Sequence, residues 1–366
     1  MPLYMDIHLA PGVKAKDVAE AHRKDLLCQG EYGCNCMTYW IDEERETIFC
    51  LIDAVNKDAV KEMHSKAHGL IPNKIIEVSS SIVQSFLGRI YDPEDAFTIE
   101  DGLKVFTDPS FRILMITKIA DPYLLQHQLG SENASVLISR QNQIIRKNIV
   151  SHQGSEVELD SEGFIASFSS ASLGAACALA IQKDIPIQDK VLLNLKISIN
   201  GGEPVEKSQK LFGDTIQLAN YLCNIKSDGK IVVASKVREL LIKDLLVKKN
   251  NDIMSLSPQD ESLLHQLFTT FEKYAQDTSF DTQECCHALA MSQSQLYRKL
   301  ISLTGLSFNV LLNDYKLEMA KELMKKNQYS ISQITFETGF SSPSYFTKCF
   351  KKKYGLLPME YMTIAN

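Results

Sequence analysis

MSQSQLYRKLISLTGLS (Met291–Ser307) and ISQITFETGFSSPSYFTKCFKKKYGLLPMEY (Ile331–Tyr361) carry the same pattern twice, about 50 residues apart. Leu296, Arg298, Leu300, Gly305 and Leu306 recur as Phe346, Lys348, Phe350, Gly355 and Leu356. Upstream, Met291-Ser292 recurs as Phe340-Ser341 after a one-residue slip. Each copy reads as a short helix, a tight turn and a second helix ended by glycine. Ser292 and either Ser341 or Ser342 are available as N-caps, and Gly305 and Gly355 as C′ glycines. That is the helix-turn-helix plan, made twice.

In the second helix of copy one, the spacing of Leu296, Leu300 and Leu303 predicts a buried stripe, which turns Gln293, Ser294, Tyr297 and Arg298 outward. In copy two, Phe346, Phe350 and Tyr354 go inward and leave Pro343, Ser344, Thr347 and Lys348 outside. These are the same positions under the shift, so the two faces agree independently. Arginine there reaches guanine O6/N7 or a phosphate, and Ser and Thr reach base edges or backbone. Lys351-Lys352-Lys353 suits phosphate clamping better than base reading. Between the copies, Ser307–Lys326 reads as one helix of ~30 Å. Adjacent major grooves on one DNA face lie ~34 Å apart, so one chain can place both recognition helices. A helical bundle serving only to oligomerise would need neither the duplication nor that helix length.

Charge agrees with this. The whole chain carries −6, yet Gln283–Asn366 holds ten Lys and Arg against six Asp and Glu, leaving 29 against 39 in the remainder. A basic tail on an acidic body is the pattern expected when one end meets phosphates.

Residues ~260–362 resemble the AraC/XylS family, with LEMAKELM (Leu317–Met324) as the linking segment. Thr335 stands where that family usually has Ala, and Pro343 makes one base-facing position apolar. The resemblance implies a sequence-specific DNA-binding transcription regulator with double-stranded DNA as partner.

The rest of the 366 residues suits further domains. Residues 2–78 read as β-α-β-β-α-β, the order of a ferredoxin-like sandwich. They hold His8, His22, His64 and His68 and Cys28, Cys34, Cys36 and Cys50, nearly half of the chain's His and Cys in a fifth of its length. His64 and His68 share one helix face, and Cys34 and Cys36 point to one side of a strand beside Cys50. Candidate metal ligands are therefore His8, His22, Cys34, Cys36, Cys50, His64 and His68. Mixed thiolate and imidazole donors suit Zn, Ni or Cu; the bland alternative is ordinary buried cysteine and a solvated histidine pair. The run YMDIH…AHRKDL…YGCNCMTYWIDEE…FCLIDA…MHSKAHGL resembles a small ferredoxin-like family, domain of unknown function 4242, with nickel-binding members. That implies nickel or another transition metal as the cofactor.

Residues 79–110 hold the turn signals DPED, EDG and TDPS and read as a linker, and residues 241–259 as a second one. Between them, 111–240 is a second α+β domain, with GSEVELDSEGFIASF and ISINGGEPVEKSQKLFGDTIQLANYLCNI resembling class III nucleotide cyclases. Where that family places two metal-holding carboxylates, an Asn and an Arg, this chain has Thr117, Glu162, Gln217 and Tyr221. Losing one metal ligand and the arginine should abolish turnover, because such chemistry rests on metal and charge stabilisation. The domain is expected to relay, bind a ligand or dimerise, and no enzyme activity is expected.

The chain thus reads as an α+β multidomain protein: a ferredoxin-like N-terminal domain (1–78), a cyclase-like α+β middle domain (111–240) and an all-α double helix-turn-helix C-terminal domain (260–366). Expected partners are DNA, a metal or small-molecule effector and a second copy in a homodimer, with no membrane. Nine unframed cysteines and no secretory pattern at the N-terminus predict a cytoplasmic location. Two alternatives stay open: front domains that only oligomerise, and a nucleotide cyclase fused to the DNA-binding tail.

Overall fold

The computed structural model describes residues 1–94, 96–98, 102–160, 163–243 and 251–365. Glu162 lies outside the described residues. Among those described, no helix is long and apolar enough to cross a membrane.

The front unit runs β1 (Leu3–Leu9), α1 (Ala15–Cys28), β2 (Cys34–Asp42), β3 (Thr47–Ala54), α2 (Lys57–Ala67) and β4 (Lys74–Val78). Its sheet has the order β2-β3-β1-β4, with β1 antiparallel to both β3 and β4, which is the ferredoxin-like arrangement. Alternation along the strands decides what each face meets. Leu3, Met5 and Ile7 of β1 join Trp40, Phe49 and Leu51 in one core. Tyr4, Asp6 and His8 take the opposite face, under the helices.

Two segments read as linkers contain structure. Residues 79–110 include α3 (Ser80–Leu87), capped by Ser79, and a hairpin of β5 (Phe97–Thr98) and β6 (Lys104–Val105). Val83, Phe86 and Leu87 of α3 are buried against the back of the front sheet. Turn signals dominated the reading here, although SSIVQSFL places apolar residues at helical spacing. Among its described residues, the second segment contains part of an α-helix, a short strand and the start of the next helix.

The middle unit comprises β7 (Arg112–Lys118), α4 (Pro122–Leu129), α5 (Ser131–Ser151), β8 (Ser155–Asp160), β9 (Gly163–Phe168), α6 (Ala171–Asp184), α7 (Ile187–Leu193), β10 (Lys196–Gly202), α8 (Gly213–Leu222), β11 (Ile231–Val233), α9 (Ser235–Lys243) and β12 (Ile253–Ser255). Its six strands lie in the order β12-β11-β10-β7-β9-β8. Helix α7 ends at Asn194 in the left-handed region, and the strand β10 starts only at Lys196.

Helices complete the chain: α10 (Pro258–Tyr274), α11 (Thr282–Ala288), α12 (Gln293–Thr304), α13 (Phe308–Lys325), α14 (Ile331–Glu337), α15 (Pro343–Tyr354) and α16 (Pro358–Ala365). The middle and C-terminal units meet at a buried polar triad. Lys321 Nζ lies 2.9 Å from Asp121 Oδ2, and the Tyr361 hydroxyl donates to the same oxygen at 2.8 Å.

Candidate metal centre and nucleic-acid face

Strand register builds the first site. Asp6 of β1 pairs with Cys50 of β3 across the ladder, and His8 follows two residues on, so all three share the helix-covered face. Helix α2 brings His64 down onto that face, with His68 following at its C-cap, and α1 brings Asp25. His64 is fully buried; its Nε2 is 2.9 Å from Asp6 Oδ2 and its Nδ1 is 3.2 Å from Asp25 Oδ1 and 3.0 Å from His68 Nε2. The Leu70 N–H donates to His68 Nδ1, so Nε2 is the nitrogen that faces the cluster. Two donor sets converge and share His64: Asp6, His8, Cys50 and His64, and Asp25, His64 and His68.

The electrostatics ask for a cation. Burial pushes the Asp6 carboxyl up, but the His8 and His64 imidazoles outweigh it and hold it well below the usual range. Asp25 is lowered in the same way: burial opposes it, and hydrogen bonds from His64 and His68 prevail. Burial depresses His64, yet Asp6 and Asp25 together raise it to about 10. A proton on His64 thus offsets the charge of the two carboxylates. His8 is buried, and among the described residues neither ring nitrogen has a hydrogen-bond partner; Nε2 sits 3.4 Å from Asp6 Oδ1 without hydrogen-bond geometry. A buried lone pair left unsatisfied is costly, and a divalent cation would satisfy it. Burial, with Asp6 next, pushes the Cys50 thiol far up, so binding there would release a proton. Nitrogen, oxygen and sulfur donors in one place fit a borderline transition metal.

The other sequence candidates stand apart. Cys34 and Cys36 pair with Ala54 and Ile52, further along β3 than Cys50, and belong to a small apolar cluster. Cys36 Sγ lies against Met63 Sδ at 3.5 Å. His22 lines the same small recess as His8, Asp25 and Cys50, but its Nε2 faces Asp92 Oδ2 at 3.6 Å. Asp6 and Asp25 were not among the candidates. Their signal was an acid in the middle of the strand LYMDIHL, and an acid three residues after His22 on one helix.

The second site is the outer surface of α12 and α15. Both helices have twelve residues and begin and end at matching positions. Ser292 closes a capping box with Gln295, and Ser342, rather than Ser341, caps α15. Gly305 and Gly355 end them in the left-handed region. Leu296, Leu300, Phe346 and Phe350 are buried, while Gln293, Ser294, Tyr297, Arg298, Pro343, Ser344 and Lys348 are exposed and Thr347 is half-buried. Lys351, Lys352 and Lys353 are exposed as well, but Lys353 turns back to Glu318 at 3.1 Å. Thr335 is buried, and its hydroxyl donates to the Ile331 carbonyl at 2.8 Å. The linking helix α13 has 18 residues, slightly shorter than read, for a length of about 27 Å.

In the middle unit, Thr117 is buried, and its hydroxyl oxygen accepts from Phe164 N–H at 3.1 Å. Gln217 and Tyr221, both on α8, donate to the Glu272 carboxylate of α10 at 2.9 and 2.6 Å.

Residues 285–364 match the family described as "Helix-turn-helix domain", and residues 4–78 match "Nickel responsive protein SCO4226-like". A "Histidine kinase P4" of Formosa agariphila is 33% identical over 108 residues, covering 30% of this chain and 8% of that protein. The "Urease operon transcriptional activator" of Escherichia coli is 24% identical over 240 residues, covering 58% and 78%. The crystal structure of SCO4226 from Streptomyces coelicolor is 28% identical, covers 21% of this chain and 94% of that one, and has a TM-score of 0.20. Several curated relatives are spanned over less than half of their own length. The chain carries a SCO4226-like domain at its N-terminal end and an AraC-type helix-turn-helix domain at its C-terminal end.

Proposed function

We propose that this chain is a transcription regulator that grips duplex DNA with its two helix-turn-helix units and responds to a transition-metal ion, nickel first, held in the front domain. The observation that carries the reading is the matched pair α12 and α15: equal in length, alike in capping, each with its polar face exposed and separated by a helix of nearly one DNA turn. In this reading Gln293, Ser294, Tyr297 and Arg298 meet one major groove, and Pro343, Ser344, Thr347 and Lys348 the next. Lys351 and Lys352 hold phosphates. A relative named as a transcriptional activator supports it.

For the metal, the fitting residues are Asp6, His8, Cys50 and His64, with Asp25 and His68 on the far side of His64. When bound, the ion would supply positive charge and cross-link β1, β3 and α2. The chain's own residues keep both carboxylates deprotonated and shield the ligands from water. The middle domain takes no nucleotide turnover here: Thr117 is neutral, and Gln217 and Tyr221 are engaged by Glu272.

The test is selection of bound DNA from a random pool, with and without nickel. The expected product is a motif of two blocks one helical turn apart, with an affinity that nickel changes. If Arg298→Ala combined with Lys348→Ala leaves sequence-selective affinity intact at physiological salt, the DNA reading is wrong.

A further inference from the structure

We infer that α8 is the lever that transmits metal occupancy in the front domain to the DNA-binding units, held at one end by Lys74 and at the other by Glu272. The inference rests on the metal-controlled reading above and concerns how that control travels.

At the front end, Lys74 of β4 pairs with Ile7 of β1, the residue between Asp6 and His8. Its ammonium donates to three successive carbonyls of the middle unit, those of Glu206, Lys207 and Ser208, at 2.7, 2.6 and 2.6 Å. A second contact runs beside it: Thr47, the β3 partner of Leu9, donates its hydroxyl to Glu203 Oε1 at 3.2 Å. This loop is tied directly to α8. Ser208 N–H donates to Asp214 Oδ2 at 2.7 Å in the helix's first turn. Phe212, which precedes the helix, is buried in the core formed by Leu3, Met5 and Ile7. The start of α8 is therefore rooted beneath the strand that carries Asp6 and His8.

Further along α8, Gln217 at its middle and Tyr221 near its end, about 10 Å beyond Asp214, hold Glu272, and the Tyr221 ring stacks on Phe268 at 4.5 Å. Both partners lie on α10, which touches both units. Phe271 packs on Phe308 at the head of α13, at 5.8 Å between centroids. At its C-terminus, Ala275 presents its carbonyl to Gly339 in the turn of the second unit, where a Cβ would stand 2.1 Å from the oxygen. A displacement of β1 on metal binding thus reaches α10 through rigid, hydrogen-bonded parts. Its effect on DNA depends on the two states differing in affinity.

The experiment uses the full chain, nickel ions and the selected DNA site. The variants are Lys74→Met, which keeps the stem and removes the ammonium, and Glu272→Ala at an exposed position. Tyr221→Phe, which keeps the stack on Phe268, serves as a milder third. Nickel affinity is read by calorimetry, folding by thermal midpoint, and DNA affinity by shift assay with and without nickel. The wild-type chain is expected to change DNA affinity about tenfold with nickel, in the range usual for coupled sites. In Lys74→Met and Glu272→Ala, nickel affinity stays within about twofold while the nickel-dependent ratio falls below about twofold, and combining them adds nothing further. A wild-type response that persists in full in both variants overturns the lever alone. A wild-type chain whose DNA affinity ignores nickel overturns the metal-controlled reading, and the lever with it.

Discussion

The Asp121 carboxylate accepts a hydrogen bond from the Tyr361 hydroxyl at 2.8 Å, joining the cap of α4 to the last helix of the chain, 240 residues away. Lys321 completes the pair from α13 at 2.9 Å, buried with it, and also faces Glu318 at 2.8 Å. Asp121→Ala leaves a buried ammonium short of one partner. We expect a loss of about 3 kcal/mol, the low end for breaking a buried pair, because Glu318 remains. Urea denaturation measures it, and a double change to Asp121→Leu with Lys321→Met should restore only part of the loss, because the α4 cap goes with the carboxylate.

Glu318 gives the acid limb a defined sign. Burial pushes its carboxyl up, but Lys321 and Lys353 outweigh this and bring it to about 2, from an ordinary 4.5. A lowered acid contributes stability that is present in full above pH 4.5 and is lost as pH falls toward 2. Stability measured across that window should fall less steeply in Glu318→Gln than in the wild type.

Three substitutions test the candidate metal cluster. His64→Ala removes the residue common to both donor sets and should abolish stoichiometric nickel binding in calorimetry. Cys50→Ser should weaken binding by tenfold or more, since about 1.4 kcal/mol is tenfold. Cys34→Ser should leave it unchanged. Binding of equal strength in all three would show that the ion sits elsewhere.

Gly339 holds φ at 75°, and a Cβ there would run into the Ala275 carbonyl. Gly339→Ala combines a left-handed backbone with a clash against another backbone, and should cost about 2 kcal/mol or more. The matching turn residue of the first unit, Ala290, already holds φ at 51°, so Ala290→Gly should be neutral or stabilising. Thermal midpoints of the two variants should therefore move in opposite directions, or only the first should move.

On DNA, Lys351→Ala and Lys352→Ala should each weaken binding to all sequences alike and lower the salt slope by about one phosphate contact. Arg298→Ala should instead relax preference at one base position, at about 1–3 kcal/mol. Binding isotherms at several salt concentrations distinguish these outcomes.

The C-terminal architecture was readable because duplication and helical periodicity reinforce one another: Leu296 and Phe346 are buried at matching places, and Ser292 and Ser342 cap matching helices. The front sheet was readable from its β-rich runs, Cys36–Ile41 and Thr47–Asp53, set off by the turn Asp42–Arg45. The candidate metal cluster was half readable. Histidine and cysteine attract notice by type, whereas Asp6 and Asp25 resemble ordinary surface acids until the fold buries them. Cys34 and Cys36 resemble ligands until register carries them past Asp6, to the level of Ile52 and Ala54. Contacts such as Lys74 with the 206–208 carbonyls or Asp121 with Lys321 join residues more than a hundred positions apart. No local pattern encodes them.

The back of the front sheet is covered by α3 together with Leu114, Val205, Leu211 and Phe212 of the middle unit. A front domain excised at residue 78 and grafted onto another protein would therefore carry Trp40, Phe49 and Leu51 bare to solvent. A working chimera has to take α3 along and supply its new host with a substitute for Phe212.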